Sequence, residues 1–95
     1  MRLRENEFKR WLESKPPHEI VGEKQEYLRC PIANFYKEAT GGCEIAVWHS
    51  WGEVTIDRGE GDRRAPGWVE YFVGEVDGAE VDQITAAHAL EILAA

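Results

Sequence analysis

Cysteine is scarce in this 95-residue chain: there are two, Cys30 and Cys43, and neither belongs to a Cys-x-x-Cys pair. That excludes a disulfide scaffold and the common zinc knuckles, and in a reducing compartment both residues are expected to be thiols. No apolar run approaches the length of a membrane span. No Gly-x-x-x-x-Gly-Lys-Ser/Thr sequence is present, which excludes a nucleotide-hydrolysing P-loop, and no EF-hand spacing occurs. Basic side chains are outnumbered, 11 against 18, giving a net charge of −7. The deficit is uneven, with seven basic and six acidic residues in 1–29, two and four in 30–58, and two and eight in 59–95. An acidic C-terminal third disfavours duplex nucleic acid and anionic membranes as partners. It suits a cationic protein surface, and it also keeps a small protein in solution. Met1 to Arg10 is charged throughout, unlike a signal peptide, so the expected compartment is the cytoplasm.

What the chain does contain is apolar and aromatic material, 43% and 11% of its residues, including four Trp. This is the composition of a folded domain. At this length one domain is expected, burying about two-thirds of the surface its unfolded chain would expose.

Arg4 to Ser14 has helical spacing, with Leu3, Phe8, Trp11 and Leu12 on one side, and Lys15-Pro16-Pro17 ends it. The segment 18–29 fits no single pattern. Its apolar anchors are Ile20, Val21, Tyr27 and Leu28. Pro31 opens a second helix that Gly41-Gly42 stops, with Ile32, Phe35, Tyr36 and Ala39 at i, i+3, i+4 and i+7. Cys43–His49 and Glu53–Arg58 read as the strands of a hairpin turning at Ser50-Trp51-Gly52, and residues 59–67 read as a Gly-rich loop. Trp68 to Asp77 has strand-like composition, but Trp68, Val69, Phe72, Val73 and Val76 fall on one helical stripe between Pro66 and Gly78, so a helix is expected. Thr85 to Leu93 is the last helix, with Thr85 as its N-cap. The fold class is α+β: about four short helices packed with a small antiparallel β-hairpin. A hairpin is not stable alone, so it packs on the helices or pairs across a homo-oligomer.

For function, the densest cluster is Trp48-His49-Ser50-Trp51. Two indoles around a His at a turn suit a planar ligand such as a nucleobase, and Arg58, Arg63 and Arg64 downstream could meet phosphates. The expected ligand-binding set is therefore Trp48, His49, Trp51, Arg58, Arg63 and Arg64, serving a small anionic molecule such as a nucleotide. The plainer alternative makes Trp48 core, Trp51 a hairpin cap and the arginines solvated. Cys30, Cys43, His18 and His49 lack the usual zinc spacing, so no metal is expected. Cys30, just before Pro31, stands at a helix start that would favour a thiolate, yet a buried thiol docking the helix end is the simpler reading. His88 reads as a surface or helix-contact residue. The acidic pairs Glu60/Asp62 and Asp77/Glu80/Asp82 read as a solvated face. No catalytic set and no cofactor is expected. A module whose acidic C-terminal third covers a basic partner surface is the competing reading.

Phe8-x-x-Trp11-Leu12, Val21-Gly22, Cys30-Pro31-Ile32-Ala33 with Phe35-Tyr36, Pro66-x-Trp68-Val69 with Phe72-Val73 and Val76-Asp77, and Ile84-Thr85-Ala86-Ala87-x-Ala89-Leu90 together give a pattern. It resembles a group of short, mostly uncharacterised proteins of bacteria and their phages or plasmids. The resemblance implies a shared small fold with the third helix as read above, and a phage-type origin would favour a binding or inhibitory protein. It brings no catalytic residue.

Overall fold

The computed structural model describes residues 4–50, 53–59 and 62–95. Four helices and two small antiparallel sheets make the α+β fold, in the order α1 (Glu5–Glu13), β1 (Ile20–Glu23), α2 (Pro31–Ala39), β2 (Ala46–Ser50), β3 (Glu53–Asp57), β4 (Asp62–Arg64), α3 (Gly67–Asp77), β5 (Gln83–Thr85) and α4 (Ala86–Ala94). No described helix is long and apolar enough to cross a membrane.

The helices form where their periodicity demands. Glu5 and Glu7 in the first turn of α1 and Arg10 in its last complement the helix dipole, and Phe8 and Leu12, one turn apart, are buried. Pro31 occupies the first turn of α2. Gly41 and Gly42, at φ of +74° and +117°, turn the chain out of that helix where a side chain would be strained. Of the stripe read for α3, Val69, Phe72, Val73 and Val76 are buried and Trp68 is partly buried against the core. Thr85 caps α4, its Oγ1 accepting the His88 N–H at 3.1 Å.

The β structure is more extensive than one hairpin. β2 and β3 pair as expected, from Ala46 opposite Asp57 to Ser50 opposite Glu53. The first strand begins at Ala46 rather than Cys43, because pairing starts where β3 supplies a partner. The turn residues 51–52 lie outside the described residues. The expected loop 59–67 contains β4, which pairs with the far edge of β3 (Thr55 opposite Arg64, Ile56 opposite Arg63). The unassigned stretch 18–29 supplies β1, which pairs with β5 across a bulge and joins the two ends of the chain. Gly22 of β1 lies so close to α2 that a Cβ there would stand 2.4 Å from the Pro31 nitrogen. A side chain is sterically excluded at that contact.

One core unites the elements. Phe8 and Leu12 of α1, Ile32 and Phe35 of α2, Val69, Phe72 and Val76 of α3, Ile84 of β5 and Ala89 of α4 are buried together with Val47, Val54 and Ile56 of the three-stranded sheet. No polar or charged residue is buried among the described residues.

Candidate functional site

Strand alternation sends Val47 and His49 to one face of β2 and Trp48 to the other. Outside β2, on the side away from β3, runs the loop 24–29. Its Tyr27 carbonyl accepts the Val47 N–H at 2.8 Å, so the loop is fastened along that strand edge. The consequence is a ring contact: Tyr27 and Trp48 stack nearly parallel, with centroids 4.2 Å apart and planes 12° apart. Both remain 43% exposed. Trp48 is therefore not a core residue.

A second fastening lies beside the stack. Asp77, the last residue of α3, accepts from His49 Nδ1 through Oδ2 at 2.7 Å and from the Gln25 backbone N–H through Oδ1 at 2.9 Å. An ionised carboxylate only accepts, so the proton of the first bond sits on His49 Nδ1, and Nε2 is the ring's remaining polar atom. Gln25 has a φ of +58°, a left-handed conformation uncommon for a non-glycine residue, and the bond to Asp77 helps to hold it. One carboxylate thus ties the hairpin and the loop to the end of a helix.

Between these fastenings is a cleft of about 390 Å³, lined by Gln25, Glu26, Tyr27, Cys30, Val47, Trp48, His49, Val73 and Asp77. Its polar lining holds the Glu26 and Asp77 carboxylates, the His49 imidazole, the Gln25 amide, the Tyr27 hydroxyl and the Trp48 indole N–H, with no described Lys or Arg. Cys30 contributes to it from a buried position at the start of α2. Burial pushes the Cys30 thiol up to about 11. The backbone N–H groups of Ala33 and Ile32 oppose the shift, and the Asp77 carboxylate adds to it. The thiol is neutral at physiological pH, and no hydrogen bond joins its sulfur to His49. This is the docked thiol rather than the activated one. Among the described residues no three His, Cys, Asp or Glu side chains form a metal-ligand group.

Of the six residues expected to bind ligand, the structure brings Trp48 and His49 into this cleft. Trp51 lies outside the described residues. Arg58 is placed over the Tyr36 ring, 5.5 Å from its centroid. Arg64 opposes Thr55 and is paired with Glu70 of α3 at 3.3 Å, which raises its pKa further. Arg63 is exposed on β4. None of the three arginines lines the cleft that holds Trp48.

Sequence reasoning missed Tyr27 and Asp77 as members of the site. Tyr27 carried no signal, because only the course of the loop brings it to Trp48. Asp77 carried one. A carboxylate in the last turn of a helix opposes the negative end of the dipole, and an acid placed there suggests another duty. Further clefts occur among the described residues. One of about 420 Å³ runs past Trp11, Asn34 and Gly41, and one of about 470 Å³ lies between α1 and α4 at Lys9, Leu90 and Leu93. Neither combines exposed stacked rings with a fixed polar pair.

No family model, curated protein or solved structure matches the chain. The functional reading therefore rests on the chemistry of the site.

Proposed function

We propose that the protein is a non-catalytic binding protein of the cytoplasm that takes a planar group into the Tyr27–Trp48–His49–Asp77 cleft. One observation carries the reading: two stacked, half-exposed rings stand beside a tied His–carboxylate pair over a cavity of about 390 Å³. Aromatic faces favour planar ligands, and the fixed polar atoms would set their orientation. Because the Glu26 carboxylate in the lining accepts hydrogen bonds, the group it suits is planar with donors along its edge, such as the amino edge of a nucleobase. A nucleotide would present that edge here, with its phosphates directed out of the cleft and away from Glu26 and Asp77.

Titration calorimetry against nucleosides, nucleotides and planar cations, with tryptophan fluorescence in parallel, tests the reading. Binding that Trp48→Ala abolishes is the expected result. Silence from every compound at millimolar concentration would overturn it.

A second reading, docking onto a basic protein surface, is favoured by the two carboxylates in the cleft and by the exposed acids Glu75, Glu80 and Asp82 on or just beyond α3.

A further inference from the structure

We infer that the planar group this cleft takes is the guanidinium of an arginine presented by a basic protein partner, an inference that rests on the binding role proposed above. Three observations converge on a cation. The first is the unbalanced carboxylate. Glu26 lines the cleft and makes no ion pair with a described residue, whereas the cations of the same loop are engaged. Lys24 donates to the Ala79 carbonyl at 2.7 Å and lies 4.0 Å from Asp82, and Arg29 lies 3.8 Å from Glu23. The second is the end of α3, which has no basic residue in its last turn and places Asp77 beside the negative end of the dipole. The third is the available ring surface of Trp48 and Tyr27, which attracts a cation over its face.

Among cations the arrangement selects guanidinium. Its flat face matches a ring face while its edge donors address a carboxylate, and an ammonium does not combine the two. The surroundings point to a protein as the source. Tyr27 and Trp48, each 43% exposed, line the cleft and give it an aromatic wall. Aromatic residues and Arg are both enriched where protein surfaces meet. The chain's charge of −7 complements a basic partner.

The test follows the Trp48 indole N–H by NMR, identified by its loss in Trp48→Phe, during titration with acetyl-Gly-Arg-Gly-amide. The same peptide with citrulline, the neutral isostere, serves as comparison, with free arginine and a nucleoside panel alongside. The arginine peptide is expected to shift the signal, binding about five-fold or more tightly than the citrulline peptide, and Glu26→Gln is expected to weaken it by a similar factor. Glu13→Gln, on the exposed face of α1, is expected to change nothing. Equal binding of the citrulline peptide, or nucleoside binding without arginine binding, overturns the inference and leaves the cleft's binding role standing. Free arginine binding about ten-fold tighter than the peptide, one step of 1.4 kcal/mol, overturns the protein partner. Failure of every compound to move the signal overturns both.

Discussion

Phe8 meets Phe72 edge to face with ring centroids 5.0 Å apart, whereas Tyr27 and Trp48 lie parallel at 4.2 Å. The first contact belongs to a cluster from three helices, in which Phe8 and Trp11 of α1, Phe35 of α2 and Trp68 and Phe72 of α3 surround one another. Phe8 and Phe72 are wholly removed from water. The second contact joins a loop to a strand and stays half in solvent. Both use ring against ring, but burial sets what each can do. The enclosed cluster contributes folding energy in proportion to the surface it hides. The open pair contributes little to folding and keeps its ring surface for something that arrives from outside.

The comparison can be broken by substitution. Phe72→Ala should lower unfolding stability by about 4 kcal/mol, as expected for a large ring lost from a closed core, measured by urea denaturation. The next effect in size concerns pH at the seam between the two regions, where Cys30 belongs to the core and also lines the cleft. A thiol ordinarily titrates near 9.0, and this one is raised to about 11. Below pH 9 it is neutral whether the chain is folded or not. Between the two values the unfolded chain loses this proton first, so stability falls as pH rises, by about 2 kcal/mol at pH 11. The difference in slope between the parent and Cys30→Ala over this window isolates the effect, and parallel slopes would place the thiol in solvent. Asp77→Ala should cost about 2 kcal/mol through its two charge-assisted hydrogen bonds, offset slightly by removing an acid from a helix C-terminus. Hydrogen exchange at the Gln25 and Val47 amides should accelerate with it. The smallest expected stability effect is that of Trp48→Ala, about 1 kcal/mol, from a partly exposed stack. A loss approaching that of Phe72→Ala would make the two clusters alike and remove the case for a free binding face.

All four helices could be read from the sequence because each carries its own periodicity and punctuation. The α3 stripe prevailed over strand-like composition, since Val69, Phe72, Val73 and Val76 needed one buried side. β4 and β5 were not legible. Each has three residues, and Asp62-Arg63-Arg64 offers no apolar alternation; it is a strand because β3 presents an unfilled edge. The site divides the same way. Trp48 and His49 stood out as a local cluster, but their companions lie far off in the chain, Tyr27 upstream and Asp77 downstream. The arginines were drawn into the expected site by nearness in sequence. In space Arg58 covers Tyr36 and Arg64 turns to Glu70.

The bond from Asp77 to Gln25 and His49, and the pairing of β1 with β5, have a consequence for synthesis. A ribosome that has released only the first fifty residues has made both aromatic rings of the cleft but neither the carboxylate that clamps them in place nor the strand that closes the N-terminal sheet. The binding face would therefore be finished only when Asp77 and β5, well downstream of both rings, have followed.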